Sequence, residues 1–229
     1  MSTEADHTTD ALGETRDSLQ AVAEHVMSAA LHASTGRIGL RQTPGGFGTP
    51  PFASAHGQRQ IRVSGTELAV SDDRGERGAP ITTLRSAGEL AEIEPGAPSG
   101  IYTPTTKLDL DRPLPLHAGA AARLADWYAL VNDALEHLRR DLAGEDPAVV
   151  QLWPEHFDLA TTISSVNYGG SPGDGGIPGP YLYVGPHSPP EPDGGFWNQP
   201  YGASRSADEV ADAEAAVRFF SDGRARLDS

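Results

Sequence analysis

Apolar and polar positions along this chain follow two periods, and the switches between them outline its elements. From Asp17 to Ser34, the residues Leu19, Val22, Ala23, Val26, Ala30 and Ala33 recur at helical spacing, and Gly36 is placed to end that helix. The strongest stripe, Leu124, Trp127, Tyr128, Val131, Leu135, Leu138 and Leu142, predicts a helix over His117–Leu142, with Glu136 and Arg140 one turn apart and Gly144 beyond its end. A last helix opens on the capping pair Ser206 and Glu209 and runs through Val210, Ala213, Val217 and Phe220 to Gly223. Ser86 with Glu89 marks a brief one through Ile93 in the same way.

Period two governs other stretches. Residues 59–64 and 67–71 flank Ser64-Gly65-Thr66 and read as a hairpin, with a charged turn and a third short strand near Ile81 after it. Arg37–Leu40 reads as a strand leading into the Pro/Gly turn Thr43–Pro51, anchored by Phe47. That turn lacks the Gly-Lys-Ser/Thr of a phosphate-cradling loop. From His156 to Ser164, Phe157, Leu159, Thr161 and Ile163 fall on one side of an extended strand. His156, Asp158, Ala160, Thr162 and Ser164 fall on the other. A second strand, Tyr181–Val184, closes on Gly185-Pro186, and the Gly/Pro stretch 169–180 reads as a long loop between the two. Pairing Tyr181 near Tyr168 would set His187 opposite Thr162.

Helix, short strands, helix, hairpin and helix in that order predict an α+β fold with a mainly antiparallel sheet packed against about three helices. Residues 1–14 are polar and acidic and read as a disordered N-terminus, leaving 15–229 as a single α+β domain. Residues 94–116 carry five prolines and no helical period. Leu108, Leu110, Leu114 and Leu116 suggest a segment laid extended across the core, with a linker between two domains as the rival reading.

Composition narrows the chemistry. The formal charge of −15 makes nucleic acid or an acidic membrane face a poor partner. The chain has no cysteine, which removes disulfides, thiol catalysis and cysteine-ligated metal centres. No cofactor is expected, because the metalloprotease, calcium-loop and dinucleotide fingerprints are all absent. No metal is expected either. His25 and His32 share a helix face, but that face lies opposite the apolar stripe and reads as solvated. The polar start carries no signal-peptide core and no window approaches a membrane span, so a soluble, cytoplasmic protein is the default. Twenty-six glycines and nineteen prolines point to many turns and irregular connections, and a single lysine beside 16 arginines and abundant alanine fits a high-GC bacterial genome.

The candidate site falls in 151–186, where aromatic, acidic and histidine side chains are densest. His156 and Asp158, about 7 Å apart on one strand face, are the candidate catalytic pair. Trp153, Tyr168, Asp174 and Tyr183 are the candidate ligand-binding residues. Two readings stay open. One is a module binding a small molecule or a partner, with imidazole and carboxylate recognising a polar group and the aromatics covering an apolar one. The other is a hydrolase-like or isomerase-like enzyme with His156 as general base, assisted by Asp158 and Asp174. No nucleophile elbow accompanies the second. A structural account competes with both. In it, His156 and Asp158 are a hydrogen-bonded pair fixing the Trp153-Pro154 approach, and Asp174 is a turn residue.

The run Trp153-Pro154-Glu155-His156-Phe157-Asp158-Leu159-Ala160, then Ser171-Pro172-Gly173-Asp174, then Pro178-Gly179-Pro180-Tyr181-Leu182-Tyr183, resembles a bacterial family classed as a domain of unknown function. Thr43-Pro44-Gly45-Gly46-Phe47-Gly48-Thr49 is similar to a glycine-containing segment near that family's start. The resemblance implies a shared fold and assigns no catalytic role.

Overall fold

The first apolar stripe extends further towards the N-terminus than the expected start at Asp17. In a computed structural model, which describes residues 2–227, helix α1 spans Ser2–Val22 and buries Leu12 and Thr15 ahead of Leu19 and Val22. Of the expected disordered stretch 1–14, Met1 lies outside the described residues. A π-helical turn, Ala23–Met27, joins α1 to α2 (Ser28–Thr35), and Gly36 closes α2 in the left-handed conformation at φ 72°. The wide turn rotates the helix face, so His25 is buried rather than solvated.

Contacts divide the chain into two units, Met1–Asp126 with Leu152–Phe157 and Trp127–Gln151 with Asp158–Ser229. None of the divisions falls in the proline-rich segment 94–116. The fold class is α+β with antiparallel sheets, as the element order predicts.

The first unit holds β1 (Arg41–Thr43), β2 (Gly46–Gly48), β3 (Phe52–Ser54), β4 (Gly57–Ser64), β5 (Glu67–Asp72) and β6 (Gly75–Pro80). They form one antiparallel sheet in the order β1-β2-β4-β5-β6, with β3 paired to β4. The two-residue turn Gly65-Thr66 sits where the sequence places it. Phe47, Ile61, Val63, Leu68 and Val70 face the core. Helix α3 (Leu84–Leu90) packs on β5, β6 and the π-turn. Its capping box is Thr83 with Ser86, three residues ahead of the expected pair, because Thr83 is the residue in extended conformation.

Residues 94–116 form neither helix nor strand and turn at 99–101, so they do not run extended throughout, and hydrogen bonds hold them beside the half-buried Leu110, Leu114 and Leu116. Leu108 is exposed, while Arg85 N–H donates to Leu110 O (2.9 Å) and Leu114 N–H to Thr82 O (2.9 Å).

Helix α4 spans Ala118–Asp141. The chain then passes through β7 (Gln151–Trp153), whose Leu152 bridges Leu40 in the first unit. In the second unit, β8 (Asp158–Ile163), β9 (Val166–Ser171), β10 (Tyr181–Pro186) and β11 (Ala203–Ser206) pair antiparallel in the order β8-β9-β10-β11. Strand β9 takes in Gly169 and Gly170, which the sequence assigned to a loop. That shifts the register, and Tyr181 pairs with Ser171 while Val184 pairs with Tyr168. His187 follows β10 and donates its N–H to Ser165 O (2.9 Å).

Helix α5 (Ala213–Leu227) begins after the capping box Ser206/Glu209, which closes only the short turn Ala207–Glu209. Asp212 Oδ1 accepts from Ala215 N–H (2.8 Å) at the true helix start. Gly223 does not end α5. A Cβ there would lie 2.9 Å from Val184, so the missing side chain lets the helix sit on β10. Phe196 and Trp197 meet edge to face (4.9 Å), and Phe196 stacks on Phe219 of α5 (5.3 Å), so the pair plugs the core.

Candidate functional site

Strand alternation gives the second sheet two different faces. Leu159, Thr161 and Ile163 on β8, Tyr168 and Gly170 on β9, and Leu182 and Val184 on β10 share one face. The C-terminal part of α4 and helix α5 cover it. A Cβ on Gly170 would lie 2.4 Å from Val131, Trp127 Nε1–H donates to Ser171 O (2.8 Å), and Phe220 meets Tyr168 edge to face at 5.9 Å. The other face carries Asp158, Ala160 and Thr162, then Asn167, Gly169 and Ser171, then Tyr181 and Tyr183, then Ser204. This is the face on which the structure gathers hydroxyls and carboxylates.

On it, Tyr183 Oη donates to Asp158 Oδ2 across the intervening β9. Gly169 makes the reach possible, since a Cβ at that position would sit 2.5 Å from Tyr183 Oη and 2.8 Å from Leu159 O. Two residues along β10, Tyr181 Oη donates to Asp174 Oδ2 (2.6 Å), and the two rings lie 6.4 Å apart. Asp174 Oδ1 accepts from Gly176 N–H (2.6 Å) and Ile177 N–H (2.9 Å), so this carboxylate also builds the loop turn. Gly173, at φ 100°, leaves room for Pro178 O, which a Cβ would approach to 2.3 Å. Gly173 therefore answers to close packing as well as to freedom, whereas a Cβ on Gly175 or Gly179 would meet nothing within 4 Å.

Burial, together with the neighbouring Asp158 charge, raises the Tyr183 phenol well above its ordinary pKa. Burial followed by the Asp174 hydrogen bond does the same to Tyr181. Burial also raises Tyr201, while the nearby Ser204 and Tyr181 hydroxyls act in the opposite direction. All three phenols are therefore neutral hydrogen-bond donors at physiological pH. Asp158 and Asp174 each accept from a phenol.

Sequence reasoning did not single out Tyr201. Its signal is the turn Gln199-Pro200-Tyr201-Gly202, closed by reciprocal Gln199–Gly202 backbone bonds of 3.0 Å, with Gly202 at φ 134°. That turn brings the 39% exposed ring beside Tyr181.

The other expected site residues fall elsewhere. Tyr168 lies on the helix-covered face and is fully buried there, so it does not flank Asp158. Trp153 and His156 belong to the first unit. His156 is not on the strand at all. Residues 154–157 form a turn closed by Phe157 N–H to Trp153 O (2.7 Å), with Phe157 at φ 55° and His156 exposed. The expected shared face of His156 and Asp158 is lost for a packing reason. Phe157 is 1% exposed and meets Phe47 edge to face at 5.2 Å. Burying a Phe gives about 1.5–3 kcal/mol and an aromatic pair about 1 more, against about 1–2 for a left-handed residue.

The sequence also missed a buried polar cluster in the first unit. The Glu24 carboxylate accepts from Thr105 N–H (2.6 Å), Thr106 N–H (2.9 Å) and the Thr106 hydroxyl. His25 Nδ1 accepts from Ala97 N–H (3.2 Å), which leaves Nε2–H to donate to Thr106 O (3.1 Å). Tyr102 donates to Glu24 O (3.1 Å) and pairs with the Ser28 hydroxyl (2.7 Å), and burial pushes its pKa up to about 12. These bonds fasten residues 97–106 to the π-turn and, through Ser28, to the start of α2.

Among the described residues, no three His, Asp or Glu side chains are grouped so as to hold a metal ion, and no helix is long and apolar enough to cross a membrane. Comparison with protein families, with characterised proteins and with solved structures gives no match to this chain.

Proposed function

We propose that the chain is a binding module for a small polar molecule, and that the tyrosine-bearing face of the second sheet recognises it. The observation that carries this reading is the Tyr181–Tyr183–Tyr201 group, with two carboxylates at its border. Tyr181 and Tyr183, whose hydrogens go to Asp174 and Asp158, offer oxygen lone pairs and flat apolar rings, Tyr201 offers an O–H donor, and the remaining carboxylate lone pairs accept from ligand hydroxyl or amine groups. A compact ligand bearing several hydroxyl or carbonyl groups suits that mixture.

The enzyme reading draws less support. Asp158 and Asp174 are already engaged as acceptors, the phenols are held protonated, and His156 is exposed on a turn rather than aligned on β8. A general base needs a lone pair directed at its substrate. A bacterial, cytoplasmic setting accompanies the binding reading through the sequence resemblance alone.

A polar-fragment library screened by ligand-observed NMR and thermal shift tests this. Fragments with adjacent hydroxyl or carbonyl groups should bind the parent and bind roughly three- to tenfold more weakly to Tyr201→Phe, the loss of about one hydrogen bond. No binding, or binding unchanged in both Tyr201→Phe and Tyr181→Phe, would overturn it.

A further inference from the structure

The first sheet has an outer face, and its register assembles an arrangement there that the binding face above does not use. Arg41 pairs with Gly48, Gly48 with Arg62, Arg62 with Ala69, and Ala69 with Gly78. Residues paired directly across strands point to the same side, so this row reads Arg-Gly-Arg-Ala-Gly across five strands. The face is the one opposite Phe47, Ile61, Val63, Leu68 and Val70. Gly48 lets the Arg62 and Thr43 side chains lie close over β2, since a Cβ there would come within 3.0 Å of Arg62 Cγ and 3.1 Å of Thr43 Cγ2, and a concavity of about 350 Å³ opens beside them. Arg41, Thr43, Gln60, Arg62 and Ser71 line it, and no carboxylate does.

Its polar groups are mostly donors with spare capacity. Arg41 is exposed and has no ion-pair or hydrogen-bond partner among the described residues. Arg62 is held by Glu76, which fixes the guanidinium at the rim and leaves other N–H groups to donate. Gln60 spends one amide N–H on Thr49 O (2.9 Å). Thr43 is 5% exposed, and its hydroxyl oxygen is buried with no hydrogen-bond partner among the described residues. A buried unsatisfied hydroxyl is a cost that a bound oxygen acceptor removes.

We infer that this concavity is an anion site for a small phosphate monoester. Two planar guanidinium groups match phosphate oxygens in pairs, and the Thr43 and Ser71 hydroxyls and the Gln60 amide supply further donors. The volume exceeds what a bare phosphate needs and leaves space for a short carbon skeleton. A polyanion is disfavoured because the whole chain carries −15. The neighbouring glycine turn 45–48 plays no cradle role. The recognition is by side chains, which is why no loop fingerprint announces it. This site is independent of the tyrosine face, and no residue is shared between the two.

The test is calorimetric titration at low ionic strength with inorganic phosphate and with glucose 6-phosphate. The parent, Arg41→Gln, Arg62→Gln and the exposed control Arg37→Gln are compared, each checked for the parent fold by its amide NMR spectrum. The parent should bind glucose 6-phosphate saturably and more tightly than inorganic phosphate. Arg41→Gln should weaken it by about tenfold, as the loss of a charge-assisted pair implies, and Arg37→Gln should leave it unchanged. Absence of saturable binding, equal binding by Arg41→Gln, or equal weakening by Arg37→Gln would each overturn the site.

Discussion

The Tyr183 hydroxyl reaches the Asp158 carboxylate over Gly169, one strand lying between donor and acceptor. The contact exists because Gly169 has no side chain. A Cβ there would come within 2.5 Å of the phenol oxygen.

Gly169→Ala should therefore destabilise the protein by about 1–3 kcal/mol as an overpacked site. Tyr183→Phe should cost about 1.5–3 kcal/mol, the value of a hydrogen bond to a charged group. Because Tyr183→Phe removes the oxygen that the new methyl group meets, the double variant should lose less than the sum. Urea unfolding of the four proteins measures all three quantities, and strict additivity would show that the clash is elsewhere.

The β8–β9 hairpin turns on Ser164 (φ 47°) and Ser165 (φ 65°), two side-chain-bearing residues in left-handed conformation. This is the backbone of a two-residue turn that favours Asn-Gly. Ser164 also donates to Glu145, whereas no side-chain bond of Ser165 to another described residue holds the turn. Ser165→Gly should raise stability by about 0.5–1 kcal/mol, the relief of left-handed strain less the added chain entropy. A lowered urea midpoint would contradict this.

Glu24 and His25 fasten residues 96–106 through buried hydrogen bonds. Glu24→Ala should cost about 2–4 kcal/mol because it leaves backbone donors of Thr105 and Thr106 without their acceptor. The chain has a single lysine, the exposed Lys107, just beyond the fastened residues. A lysine-specific protease can therefore cut only there. Under native conditions, cleavage of Glu24→Ala and His25→Ala should run several-fold faster than that of the parent, beyond what their lowered global stability, measured by urea unfolding, accounts for. Equal rates would separate the cluster from the segment.

Tyr102, Tyr181, Tyr183 and Tyr201 all have raised pKa values, Tyr102 to about 12, with burial the leading cause. An unfolded tyrosine ionises near 10. A group bound more tightly to its proton in the folded state contributes stability that is complete below the unfolded value and fades as pH rises through the folded one. The phenolate absorbance of the native protein should therefore show at most two of the six tyrosines titrating normally, the remainder appearing only with alkaline unfolding above about pH 10. Four or more normal titrations would place the phenols in water.

Periodicity by itself determined the elements whose partners are near in sequence or whose apolar stripe is long. The helix over α4, the Gly65-Thr66 hairpin, the Gly36 stop and the buried Phe47 belong here, since each depends on local conformational preference or on a repeated face. It also marked Asp158, Asp174 and Tyr183 as residues worth placing. Tertiary packing decided the rest. Phe157 leaves the strand alternation to meet Phe47, and His156 is carried out of line with it. Gly169 and Gly170 read as a loop by composition, yet they are strand positions emptied for Tyr183 on one face and Val131 on the other. A three-residue shift of register, with Tyr181 paired to Ser171 instead of Tyr168, sets Tyr168 on the helix side of the sheet, and the π-turn buries His25 with Glu24. In each case a contact distant in sequence outweighs a local preference of about a kcal/mol per residue, which is why no local pattern could have contained it.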